Sequence, residues 1–434
     1  MNFTKNQIII IGGALLIIFI LVLAVAIPAL KDTSTDKSKI TAKLTVWGIS
    51  NSPRDLDSII AGFNSIFPKV TVQYRNFQNF QNYQKTLLDA LAAASGPDIF
   101  VIRNTDLPNM INKIVPAPQE RFTINQLINA FPQVVRQDFA QQNSTYALPL
   151  SIDTIALFYN KNLLDQAAVP IPTTWEEFIN IIPRLTSFDG SRKITRSGAA
   201  IGSSEKSVTE ASSILELLML QNGISMISPD FTSARFASSI DGANALKFYT
   251  QFSDTREKTY TWNDSFLNDI DAFAQEKTAM LFGYTSAIPN IKQRNTFLNF
   301  AIVPTPQLQN APVVNKIAYP KYYGFAVSKQ SKKQPIAWEF ILQLAESSST
   351  VKQYLTATRE PPALRSLAIE QQNDLELGAF ARQTLIARSW PQVDTDTISA
   401  LFSKAIEEVN INAMTPRDAL QKTQEAVTAL MTRK

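Results

Sequence analysis

The 434-residue chain has no cysteine and no histidine. Thiolate nucleophiles, disulfides and imidazole–metal centres are therefore excluded, and so is a Ser–His–Asp triad. Any catalysis would have to rest on carboxylates, Lys, Tyr or Ser, and no cofactor is called for. The missing cysteine also removes the usual lipid-bearing residue of bacterial lipoproteins. Charge is scarce as well. Asp, Glu, Lys and Arg make up 18% of the chain and the net charge is +4. No dense Lys/Arg run appears, so nucleic-acid binding has no footing. Apolar residues, by contrast, reach 45%, enough for packed cores rather than disorder. At this length two or three folding units are expected, because single cores rarely grow past roughly 250–300 residues.

The segment Ile8 to Leu30 holds no charge over 23 positions. As a helix it would span about 34 Å, enough to cross a hydrocarbon core of about 30 Å. A cleaved signal peptide is the competing reading, since Ala24-Val25-Ala26 resembles a cleavage site, but the apolar run is longer than signal peptides carry. An uncleaved N-terminal transmembrane helix is the expectation. Lys5 precedes it and Lys31, Lys37 and Lys39 follow, so flanking charge does not orient it. Residues 31–40 are short, polar and linker-like.

Beyond the linker the pattern alternates between strand and helix. Ile40 to Trp47 reads as a strand. Ser52, Pro53 and Asp55 read as a helix start, by capping, fixed φ and the helix dipole. Leu56, Ile59, Ile60, Phe63 and Phe67 follow at helical spacing. Val70, Val72 and Tyr74 alternate as a second strand. Phe80, Tyr83, Leu87 and Leu91 mark a second helix, closed by Ser95-Gly96-Pro97, and Asp98 to Ile102 is a short apolar strand. This order predicts a doubly wound α/β lobe. Ligands in such lobes sit beyond the carboxyl ends of the strands, here Gly48 to Ser52 and Arg103 to Asp106. Asn51, Arg103, Thr105 and Asp106 are candidates on that ground.

Further along, LSIDTIALFYN (Leu150 to Asn160) is an apolar strand with Asp153 embedded in it. Asp153 either lies on a solvated edge or caps a turn, or else faces a cleft and accepts bonds from ligand hydroxyls. Thr174 and Glu177 have capping-box spacing, a structural device. Trp175 and Trp338 sit in helical apolar stripes and read as core; Trp47, at a strand end, also favours core packing over ligand contact.

The motifs together resemble the family 1 extracellular solute-binding proteins, the maltose-binding-like components of ABC importers. The resemblance covers residues from about 41 to the end. Its strongest piece is PLSIDTIALFYNKNLL, Pro149 to Leu164. Weaker pieces follow family order: Leu44 to Gly48, Gly96-Pro97-Asp98-Ile99, Pro172 to Glu177, and Lys277-Thr278-Ala279-Met280 with Gly283, where Lys277 stands in place of the usual Gly. Pro335 to Phe340 and Thr415 to Leu420 complete the set.

The resemblance implies an α/β, two-lobed periplasmic-binding-protein fold, type II-like, with a hinge. It places residues 41–150 and 302–345 in lobe one, and 151–301 and 346–434 in lobe two. The hinge strands would be Leu148 to Ser151 and Phe300 to Val303. By motif position it implies ligand contacts at Asp153, Tyr284, Thr105 and Asp106, with Tyr322, Tyr323, Arg359 and Trp390 as further cleft candidates. The implied partners are a small solute, foremost a sugar, and the permease subunits of an ABC transporter. The membrane would be reached through the N-terminal helix, at the extracytoplasmic face. A membrane-anchored sensor using the same fold is the alternative. A glycosidase built on Asp106 and Asp153 is the weaker third reading, since no acid/base motif stands out.

Overall fold

A computed structural model describes residues 36–50, 52–312 and 315–432. The apolar run Ile8–Leu30 and the candidate Asn51 lie outside these residues. Among the described residues no helix is long and apolar enough to cross a membrane.

The first lobe forms as the alternation predicts. Strand Ala42–Ile49 pairs in parallel with Val70–Phe77 on one side and Ile99–Arg103 on the other. Tyr323–Ser328 then adds antiparallel to Ile99–Arg103, and carries the short strands Ile114–Val115 and Leu148–Pro149. The intervening helices bury the expected stripes, Ile59 and Phe63 on one and Tyr83, Leu87 and Leu91 on the other. The first helix begins at Asp57, later than its cap signals suggest. Ser52 and Asp55 instead close a turn on each other: the Asp55 carboxylate accepts the Ser52 amide at 3.0 Å, and the Ser52 hydroxyl accepts the Arg54 amide at 3.2 Å. Asp98 pins the start of its strand, accepting the Thr45 amide at 2.9 Å, the Ser331 hydroxyl at 2.7 Å and Lys333 Nζ at 3.0 Å. Its place in the GPDI motif is thus structural.

The second lobe is built on Ala156–Asn160, buried at every position. Met280–Gly283 and Phe300–Val303 pair antiparallel on its two sides. Helix Trp175–Leu185 covers this sheet, and its capping box forms as the Thr174/Glu177 spacing predicts. Trp175 lies 5.5 Å from the Phe178 ring and 5.7 Å from the Phe282 ring. Burying each such side chain contributes roughly 1.5–3 kcal/mol. Trp338 is likewise core, in the first lobe, while Trp47 is half-buried against Phe77 under the Arg75 guanidinium.

Two separate hydrophobic cores result, and core membership shows where the chain changes lobe. Ile152 belongs to the first core and Ile155 to the second; Tyr319 belongs to the second and Tyr322 to the first. Between these points Asp153–Thr154 pairs antiparallel with Pro320–Lys321, so the hinge is a two-stranded ribbon. Phe300–Val303, expected to be a hinge strand, lies inside the second sheet instead. Val351, Leu355, Leu364 and Leu367 enter the first core, and the next crossing comes before Leu377, well after residue 346. These segments are apolar without a compositional break, so tertiary pairing decides which core takes them. Gln383 braces the ribbon on the second-lobe side: its carbonyl oxygen accepts the Thr305 amide and hydroxyl, and its amide donates to the Thr154 hydroxyl at 3.2 Å and the Ile155 carbonyl at 2.9 Å.

Candidate functional site

Two cavities open between the lobes, of about 280 Å³ and about 560 Å³. They share a wall made of Tyr284, Lys321, Tyr322 and Tyr323. Lys321 stands on the hinge ribbon, where both cavities meet.

The narrow cavity takes Arg103 and Thr105 from the end of a first-lobe strand. From the second lobe it takes Glu210, Ser213 and Glu216, at and along the helix Ala211–Gln221, and the start of helix Thr395–Asn410. The lobes touch across it. Arg103 donates to Asp396 at 2.7 Å and the hydroxyls of Thr105 and Thr395 lie 2.7 Å apart. The Arg103 guanidinium also sits 3.3 Å over the Phe80 ring, and its Nε is buried without a partner. Lys321 is wetted by the cleft although protein surrounds it, and its ammonium is held above the usual range chiefly by Glu210. Burial raises the Glu210 carboxyl, against the opposing pull of Lys321 and of the Ser213 hydroxyl at 3.0 Å. Tyr284 is 4% exposed, its hydroxyl is sealed from solvent beside the Ser213 hydroxyl, and its ring centre lies 5.5 Å from Lys321 Nζ. Lys321 Nζ makes no hydrogen bond or ion pair among the described residues, so the cavity's unspent hydrogen-bonding capacity lies with it.

The wide cavity differs. Three of its charged groups engage one another: Glu376 pairs with Lys292 at 2.8 Å and with Arg359 at 3.1 Å. Arg359, at a left-handed helix end, therefore lines the wide cavity with its charge already paired. Asp153 faces the same side, but its Oδ2 accepts the Thr285 amide at 2.9 Å and hydroxyl at 2.6 Å, and its Oδ1 accepts the Thr154 amide at 2.8 Å. The structure thus places Asp153 as a turn cap that fixes the loop behind Tyr284. Burial pushes its carboxyl up to about 7 against those bonds.

Three further candidates turn inward. The Tyr322 hydroxyl donates to buried Asp138 at 2.8 Å, so that group is not offered to the cleft. Trp390 lines neither cavity; it is 3% exposed in the second core, and its Nε1 donates to Glu216 at 2.6 Å. Asp106 is buried beneath the narrow cavity without lining it, its carboxyl raised to about 6 by burial against the pull of Arg103. Asp106 and Asp153 therefore do not line a common cavity. Tyr323 does line both, half-buried and stacked 5.8 Å from Phe80.

Sequence reasoning missed Lys321, Glu210 and Glu216. Glu216 had one legible signal, a lone acid within the otherwise apolar run ILELLML.

This architecture is a two-lobed α/β periplasmic-binding-protein fold with two cavities between its lobes. The chain belongs to the bacterial extracellular solute-binding protein family, whose profile matches residues 50–356. The chain is 22% identical over 409 residues to the galactooligosaccharide-binding protein of Bacillus subtilis, covering 91% of each chain. A shorter match, 21% over 147 residues, joins it to the maltotriose-binding protein of Pyrococcus abyssi, covering 33% of this chain and 31% of that relative's length. In fold it is similar to the sugar-binding protein MalE from Xanthomonas citri, with a TM-score of 0.75 at 19% identity over 90% of this chain and 98% of that one.

Proposed function

We propose that the protein is an extracytoplasmic receptor that captures a carbohydrate between its lobes and delivers it to the permease of an ABC importer. The observation that carries the reading is the narrow cavity at the hinge. Polar groups of both lobes meet there, with Lys321 and one Glu216 oxygen without hydrogen bonds, beside the Tyr284 and Tyr323 rings. Sugars need such a site, with carboxylates and cations for hydroxyls and flat rings for C–H faces. Its oligosaccharide-binding relatives point the same way. In this reading Arg103, Glu210, Tyr284, Lys321 and Tyr323 touch the ligand. One lobe comprises residues 41–152 with 322–371, and the other 155–319 with 377–432. The lobes close by bending at the hinge ribbon. The Ile8–Leu30 run tethers the receptor to the outer face of the cytoplasmic membrane.

A thermal-shift screen of the full chain in detergent tests the proposal. A carbohydrate at 100 times its Kd should add about 2.7 kcal/mol of stability. A rise with one oligosaccharide class, and none with polyamines or peptides, is expected. No rise with any carbohydrate would overturn it.

A further inference from the structure

A strap, residues 387–396, runs between the lobes along the narrow cavity. The first lobe grips it through backbone and side chains. Gln137 donates to the Ser389 carbonyl, the Ser389 hydroxyl donates to Asp138, and the Gln392 amide donates to the Thr105 carbonyl at 3.1 Å. Arg103 holds its far end through Asp396. The second lobe grips the same strap through the Ala318 carbonyl, which accepts the Arg388 amide at 3.0 Å, and through one buried side chain that faces the cavity. Glu216 accepts Trp390 Nε1 at 2.6 Å and Gln392 Nε2 at 2.9 Å, and also the hinge-side Tyr319 hydroxyl at 2.5 Å.

All three donors reach the same oxygen, Oε2. Glu216 is 4% exposed and lines the cavity. Its Oε1 accepts no hydrogen bond among the described residues, yet it is not among the atoms sealed from solvent. A half-used buried carboxylate facing a cavity is an acceptor waiting for a donor. Beside it, buried Gln392 Oε1 also lacks a partner.

Resting on the carbohydrate-receptor reading, we infer that Glu216 couples the ligand to the strap: Oε1 accepts a hydroxyl of the bound sugar while Oε2 holds the strap that joins the lobes. Glu216 is thereby a specificity-determining residue for a hydroxyl donor, and Trp390 and Gln392 are positioning residues that act through it. The coupling has a pH signature. Burial raises the Glu216 carboxyl to about 7, with Glu205 adding to the rise and the three donors opposing it. The titratable groups facing it are Glu205 and the phenols of Tyr284 and Tyr319, both pushed well above their usual range, with Glu210, Lys321, Arg103 and Asp396 lining the same cavity. The ionised form is the better acceptor.

The test is a binding titration of the full chain with its best carbohydrate at pH 6 and pH 8. The ionised fraction rises from about a tenth to about nine-tenths over that range, so wild-type affinity should tighten about tenfold. Glu216→Gln keeps the shape but turns the cavity-facing atom into a donor or a weaker acceptor. It should bind at least about tenfold more weakly at pH 8 and show no pH slope. Gln392→Met removes one donor to Oε2 and leaves Oε1 in place. It should keep pH 8 binding within a few-fold and move the pH midpoint upward. Wild-type affinity and slope in Glu216→Gln, or an unmoved midpoint in a folded Gln392→Met, would overturn the inference while leaving the receptor reading intact. A wild type that binds no carbohydrate removes both.

Discussion

The two cavities share a wall and little else. On the narrow side Glu216 keeps one oxygen without a hydrogen bond, and Lys321 meets Glu210 only at a distance. On the wide side Lys292, Arg359 and Glu376 satisfy one another, and Asp153 is spent on Thr285 and Thr154. The larger volume is therefore not the better candidate for recognition. Ligands are specified by polar groups that lack partners without them, and those lie on the narrow side.

Asp153 and Glu216 sharpen the contrast. Burial lifts both carboxyls to about 7. Asp153 uses both oxygens on protein donors, whereas Glu216 uses one. Asp153→Ala should thus act on stability. Orphaning the Thr285 amide should cost about 2 kcal/mol, read as a lower unfolding midpoint, with affinity changed less than in a narrow-side variant. A larger loss of affinity than of stability would break the contrast.

Lys321→Ala follows in size. It should weaken carbohydrate binding about tenfold, or about 1.4 kcal/mol, measured by titration calorimetry. The pH dependence of stability comes next. Asp138 and Glu216 both bind a proton more tightly folded than unfolded, because burial raises each to about 7 from an ordinary value near 4. Their stabilisation is complete only below about pH 4, the unfolded value. It falls as pH rises toward 7, on the order of 1 kcal/mol per pH unit per site, and levels off above. Thermal melts from pH 5 to pH 8 should show that decline, and Asp138→Asn should shallow it. The smallest effect is Lys292→Ala on the wide side, within about twofold in affinity, since its bond to Glu376 is exposed and weak. A tenfold loss there would move the ligand site to the wide cavity.

The first lobe was legible because its elements are local. Alternation, caps and helical stripes lie within each segment, and Ile59, Phe63, Tyr83 and Leu87 buried as their spacing required. The hinge was less so. Phe300–Val303 and Ser348–Thr358 carry apolar patterns that fit either lobe, and only long-range pairing assigns them. At the site, Arg103, Thr105, Tyr284 and Tyr323 were readable from strand ends and motif position. Trp390 and Tyr322 were not, because an aromatic with a polar tip fits a cleft or a core equally well, and here Glu216 and Asp138 draw those tips inward. Glu216 went unread because a lone acid in an apolar run does not by itself mark a site, and its role depends on a strap far downstream, as its bond to Trp390 spans 174 positions.

Calorimetric titration of wild type and Glu216→Gln at pH 8, against malto- and galacto-oligosaccharides, tests the central claim most directly. The account predicts saturable one-to-one binding of at least one of them, weakened about tenfold or more in the variant. Equal binding by both proteins would contradict the role given to the narrow cavity, and binding by neither would contradict the receptor itself.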